Sequence, residues 1–164
     1  MPIRLKPTFS EWYEFSKITK RSQIPGKCEP GIYLIAKIAK SENKTDPNSH
    51  LSKNIIYIGK SAFGINSRLS SWNRSFENQS TEEVGGSLYR RLGNTTPDNL
   101  YVSIWPIKKA HGESPIEFEL RIMEIEFNLI LAFINKYGKL PVCNCELRKP
   151  VYHKGKWNKH LSHF

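Results

Sequence analysis

Gly31-Ile32-Tyr33-Leu34-Ile35-Ala36-Lys37-Ile38 and Asn54-Ile55-Ile56-Tyr57-Ile58-Gly59-Lys60 decide how this chain folds. Both runs are rich in the β-branched and aromatic residues that fit a pleated, half-buried surface. They predict two strands, with Tyr33 and Tyr57 on strands rather than in loops. Between them Lys40 to Lys53 is almost wholly polar and contains Asp46-Pro47-Asn48. That composition predicts a mobile loop closing a long hairpin.

Outward from the hairpin, the chain alternates between helical and strand-like patterns. Upstream, Ser10 is placed to cap a short helix through about Lys17, with Trp12 and Phe15 docking on the body. Pro25, Gly26 and Pro30 punctuate the entry to the first strand. Downstream, Ile65, Leu69 and Trp72 recur at helical spacing, and the exposed flank of that helix carries Arg68. Gly85-Gly86 reads as a break before a short helix from Ser87 to Leu92, which Gly93 ends. Tyr101 to Ile107 alternates as a third strand.

The segment from about Pro115 to Lys136 predicts one long helix. At 100° per residue, Leu120, Met123, Phe127, Ile130, Leu131 and Ile134 share a broad apolar face, expected to be the core face. Glu117, Arg121, Glu124 and Asn128 occupy the wet side. Glu126 falls instead between Ile130 and Phe133, inside the apolar arc. An inward carboxylate is costly unless it meets a cation or a metal. Glu126 is therefore a functional candidate from helix geometry alone, with an internal ion pair as the alternative. Glu119 lies two turns earlier on nearly the same azimuth, close to the helix start.

The 164 residues carry 25 Lys and Arg against 15 Asp and Glu, a formal charge of +10. The surplus favours a polyanionic partner, because each cation set against a phosphate releases a condensed counterion. At 38% apolar and 12% aromatic the composition excludes a disordered chain. Cys28, Cys143 and Cys145 make an odd count without metal-type spacing, which fits reduced thiols in the cytosol. Cys143 and Cys145 alternate in what reads as an extended segment. The start, Met1 to Pro7, has no hydrophobic signal core, and the longest apolar run, Leu129 to Ile134, is too short to span a bilayer. These features predict a cytoplasmic protein with no membrane partner. A single domain is expected over residues 1–164: a core at 31–144, an N-terminal helical extension at 1–30 and a basic tail at 145–164. His111, His153, His160 and His163 read as solvated.

Gly31-Ile32-Tyr33 followed by Tyr57-Ile58-Gly59-Lys60-Ser61, then Arg68, Glu126-Phe127-Asn128-Leu129-Ile130 and Pro141-Val142-Cys143-Asn144, resembles the GIY-YIG nuclease superfamily. The closest local similarity is to the N-terminal incision domain of the bacterial excision-repair nuclease. The resemblance implies an α+β fold, a small antiparallel three-stranded sheet flanked by helices. It implies a divalent-metal-dependent DNA endonuclease, with DNA as partner, a homodimer left open, and Mg²⁺ or Mn²⁺ as cofactor. Carried onto these positions, the site is Tyr33, Tyr57, Lys60, Arg68, Glu126 and Asn144.

Glu126 would bind the ion and Arg68 the scissile phosphate. Tyr57 would be general base, its phenolate favoured by Lys60, with Tyr33 holding the pocket. Asn144 would secure the helix–strand geometry or bind phosphate. The chain departs from the pattern in three places. The hairpin loop is long, Glu126 to Asn144 is extended, and Trp72 stands where many members have Tyr or His. Indole donates a hydrogen bond but accepts no proton, so Trp72 is not a base. A non-catalytic nucleic-acid-binding module that keeps the fold is the competing reading.

Overall fold

The computed structural model describes residues 7–18, 24–39, 51–77 and 84–144. In chain order the elements are β1 (Tyr13–Glu14), β2 (Gly31–Lys37), β3 (Ile55–Ser61), α1 (Ile65–Glu77), α2 (Val84–Arg91), β4 (Leu100–Pro106) and α3 (Pro115–Tyr137). The architecture is α+β, as expected, but the sheet has four strands in the order β1-β4-β2-β3, every pair antiparallel. The loop expected over Lys40–Lys53 has its residues 40–50 outside the described residues, as has the basic tail at 145–164 with Cys145 and three of its histidines.

The extra strand takes the first part of the helix expected after Ser10, of which only a single 3-10 turn at Phe15–Lys17 remains. Ser10 does not cap a helix. Its backbone N–H donates to the Ile104 carbonyl at 2.8 Å, and its Oγ accepts from the Ile104 N–H at 3.0 Å. Ser103 Oγ also donates to the Ser10 carbonyl at 2.6 Å. With its polar groups spent on β4, the segment runs extended through β1. Trp12 and Phe15 are both buried, but in core clusters on opposite faces of the sheet. Strand alternation sorts them so; helical spacing would have put them together.

On one face of the sheet Ile32, Leu34, Ile58 and Trp105 pack with Phe118, Ile122, Leu129, Ile130 and Phe133 of α3. On the other, Tyr33, Ile35, Tyr57, Val102 and Ile104 pack with Ile65, Leu69 and Trp72 of α1 and Tyr89 of α2. The Gly85-Gly86 pair lies within α2 rather than breaking the chain before it. A Cβ on Gly86 would meet Ser75 Oγ at 2.5 Å, and one on Gly85 would meet Trp72 Cζ2 at 2.7 Å. The pair serves close approach of α1 and α2, which outweighs the helix cost of glycine.

Both ends of α3 follow from local chemistry. Ser114 and Glu117 form a reciprocal capping box, Pro115 opens the first turn, and Gly138 closes the last in the left-handed region at φ 70°. Arg121 is tied to Glu113 at 2.7 Å, which holds the Glu113 carboxyl down to about 2. Tyr137 donates its hydroxyl to the Leu51 carbonyl, pinning the far end of the helix beside the start of β3. The buried face of α3 is not the one expected. Leu120, Met123, Phe127 and Leu131 are exposed, whereas Phe118, Ile122, Leu129, Ile130 and Phe133 meet the sheet. The apolar arc is wider than the sheet can cover. Among the described residues no helix is long and apolar enough to cross a membrane.

Candidate functional site

Tyr33 and Gly59 are direct partners across β2 and β3, and Tyr57 projects from the same face two residues earlier. The two phenol rings lie 5.8 Å apart, tilted at 40°. Both lean over Gly59. A Cβ built there would sit 2.6 Å from Tyr33 Cζ and 2.7 Å from its Oη, and closer still to Tyr57 Cε1. The glycine of Tyr-Ile-Gly is thus the floor on which two phenols converge. The other side of Tyr57 meets Trp72 edge-on at 5.4 Å, and Gly85 lies over the same ring, where a Cβ would come within 2.7 Å of Tyr57 Cε2.

Both phenols are buried, Tyr57 with 8% of its surface exposed against 1% for Tyr33, so Tyr57 is the less enclosed of the two. Tyr89, in the same aromatic cluster, has its pKa pushed up to about 12, mainly by burial, which removes it as a base. Trp72 is fully buried, and its indole Nε1 meets no acceptor among the described residues.

Asn144 acts as a false strand. Its Oδ1 accepts from the Ile58 N–H at 2.9 Å, and its Nδ2 donates to the Ile58 carbonyl at 2.8 Å. β3 is the edge strand, and this amide occupies the ladder position a further strand would have filled. These two bonds tie the turn after α3 to β3, as the geometry-holding one of Asn144's two expected roles requires. It sits in a tight turn over residues 142–144, not in an extended segment, and Cys143 beside it is buried. Asn144→Ala strands both Ile58 groups and is expected to cost about 2 kcal/mol in denaturant unfolding. The Ile58 amide should then lose hydrogen-exchange protection out of proportion to its strand neighbours.

Arg68 is exposed one turn before Trp72, on the stripe of α1 that also carries Ser75. Because α1 packs on the phenols' face, Arg68 lies on that side of the sheet. Lys60 does not. Lys60 pairs with Ile32, whose side chain belongs to the α3 cluster, so alternation sends the lysine to the face opposite Tyr57. Ser61, next along, returns to the α1 side, where its Oγ donates to the Gly64 carbonyl at 2.8 Å before the helix begins.

Glu126 is half-buried on the arc of α3 bounded by Ile122, Leu129, Ile130 and Phe133, as its azimuth predicts, and Glu119 is exposed. The structure thus gathers Tyr33, Tyr57 and the Asn144 clamp around β3, with Arg68 on the phenols' side of the sheet. It sets Glu126 and Lys60 on the other face of the sheet. Trp72 and Gly85, the walls of the Tyr57 pocket, were not read as such from sequence. The Gly-Gly pair could have signalled close packing.

No group of three or more His, Cys, Asp or Glu side chains converges among the described residues. The donor set is one half-buried carboxylate. That suits Mg²⁺, which keeps several waters and binds through one or two carboxylates plus substrate phosphate. A cleft of about 440 Å³ lies past the end of β3 between Phe63 and the start of α3, bordered by Lys108, Lys109, Glu29 and Glu119. None of the six expected site residues lines it. Comparison with protein-family models, with curated proteins and with solved structures gives no match.

Proposed function

We propose that this chain is a divalent-metal-dependent endonuclease that hydrolyses DNA phosphodiester bonds at the outer edge of β3. The observation that carries this reading is the pair of phenols converging over Gly59 on an edge strand whose rim is locked by Asn144. A net charge of +10 supports a polyanionic substrate. Phosphate running along that edge is reachable from both faces of the sheet. Arg68 lies on the α1 side, and Lys60 and Glu126 lie on the α3 side.

In the reaction a water adds to phosphorus while the bond to the leaving sugar oxygen breaks. Tyr57, the less enclosed phenol, takes the proton of that water as phenolate. A phenol of ordinary pKa near 10 is only about one part in a thousand ionised at neutral pH. Arg68, on the same face, is the cation placed to raise that share and to hold the phosphate through a fixed fork of donors. Tyr33 keeps the Tyr57 ring in place. Lys60 supplies positive charge from the opposite side of the edge. Glu126 would hold Mg²⁺ or Mn²⁺, which as a Lewis acid stabilises charge on the reacting phosphate.

A module that binds nucleic acid without turnover is the second reading. It is favoured by the cover that Trp72 and Gly85 place over Tyr57, and by the sheet standing between the phenols and Glu126. Supercoiled plasmid incubated with Mg²⁺ or Mn²⁺, with and without chelator, separates the two. Metal-dependent nicking is expected; retention of plasmid in gel shifts with no nicking in either metal would leave the second reading standing. Under single-turnover conditions Tyr57→Phe should slow cleavage on the order of 100-fold. Trp72→Phe should stay within about 10-fold, because it removes a buried donor that meets no acceptor rather than a proton carrier. The reverse ranking would place the base elsewhere.

A further inference from the structure

The face of α3 turned away from the sheet is the largest unexplained apolar feature of the described residues. Ile116 is 73% exposed, Leu120 57%, Met123 45%, Phe127 50% and Leu131 36%. Ile116, Leu120, Met123 and Phe127 follow one another at heptad steps of four, three and four residues, and Leu131 and Ile134 extend the stripe, the next heptad position, Ile130, being taken by the sheet. The exposed part of the stripe amounts to on the order of 500 Å² of apolar surface, at the upper end for the largest patch of a monomer.

The acids in and around α3 are confined to its first half. From Glu113 to Glu126 there are five glutamates, and the single cation, Arg121, is bound to Glu113. From Phe127 to Asn144 there is no acid, and the charged residues are Lys136 and Lys139. A second copy laid antiparallel sets each acidic half against an acid-free half, since Lys136 is turned the other way, donating to the Leu51 carbonyl at 2.9 Å. A parallel arrangement would align acid with acid. The helix dipoles also oppose in the antiparallel sense.

We infer that two copies of this chain associate through α3, antiparallel, about a dyad at Phe127. The layers are then Phe127 on its own copy, Met123 on Leu131 and Leu120 on Ile134, with Ile116 over the small Gly138. The pairing is isologous and closes on itself. Two such stripes bury about 1,000 Å² in total before their polar rims are counted, the lower bound for a specific association. An interface of this size fits a reversible dimer. The inference does not depend on the nuclease reading, since it is measured by mass and not by turnover.

Sedimentation velocity and light scattering on the full chain across the micromolar range should show a concentration-dependent dimer. Leu120→Glu with Phe127→Glu, at positions that do not contact the sheet, should weaken it at least about 100-fold, with helicity and unfolding midpoint retained. For orientation, a short bismaleimide is applied to variants with one introduced cysteine in a Cys28→Ser, Cys145→Ser background, which keeps only the buried Cys143. Glu124→Cys copies lie about 9 Å apart along the axis in the antiparallel pair and should be joined. Ile116→Cys copies lie about 33 Å apart and should not. A monomer at every concentration overturns the inference, as does a dimer unmoved by the two glutamates. Equal cross-linking at both positions overturns the antiparallel arrangement.

Discussion

Glu126→Gln is expected to abolish plasmid nicking, lowering the single-turnover rate at least about 1,000-fold in Mg²⁺, while the protein stays folded. The two side chains are nearly isosteric, so the packing beside Ile122, Leu129, Ile130 and Phe133 is preserved and stability should move by less than about 1 kcal/mol. What disappears is the one negative charge on the inward arc of α3. An amide oxygen is a poor ligand for a hard divalent ion beside a carboxylate. Glu119→Gln is the matched control, because Glu119 shares nearly the same azimuth but is exposed near the helix start. It should retain full activity. Normal cutting by Glu126→Gln, or an equal loss in both variants, would remove the metal assignment.

The second large effect lies in a single methyl group. Gly59→Ala drives a Cβ into Tyr33 Cζ and Oη and the edge of the Tyr57 ring, all closer than carbon atoms pack. Neither ring can swing aside. Tyr33 is buried by its own face of the sheet, and Tyr57 is held by Trp72 and by the Gly85 backbone of α2. The variant should lose about 3 kcal/mol of stability in urea unfolding. It should also lose cleavage well below its unfolding midpoint, because the phenols are displaced even in the folded fraction. Combining it with Tyr33→Ala, which opens space on one side, should cost less than the two single losses added together. Strict additivity would show that the rings do not meet over Gly59.

Some of this was legible in the residues alone. The hairpin strands were, because Gly31 to Lys37 and Ile55 to Ser61 are strong β formers bounded by turn chemistry. So was α3, whose Ser114, Pro115 and Glu117 at one end and Gly138 at the other are local signals that need no tertiary context. The side on which α3 is buried was not legible. Its apolar residues run from Phe118 round to Leu131, more than half the circumference, and a helical wheel cannot say which part the sheet takes. The Ser10 segment failed for a related reason. Its partner is β4, some ninety residues away, and a capping serine looks the same as one bonded to a strand edge. Glu126 was singled out by helix geometry, whereas Arg68 and the two tyrosines could be placed on their elements by period but were assigned to a site only through the resemblance. Lys60 was placed beside Tyr57 by proximity in sequence, where strand alternation, applied strictly, sends it to the other face.

Both rims of the sheet are sealed by parts of the chain distant in sequence. Ser10 and β1 close one side against β4, and Asn144 closes the other against Ile58, 86 positions earlier. During synthesis the hairpin can form early, since its strands are close neighbours, but each seal waits for the chain to grow long enough to reach back. Until then two open ladders face the crowded interior of the cell, the condition under which strands recruit foreign strands. A chain cut short before Pro141 would keep both apolar clusters nearly complete and still lack the stopper on β3. Such a fragment is expected to polymerise through that edge rather than simply unfold.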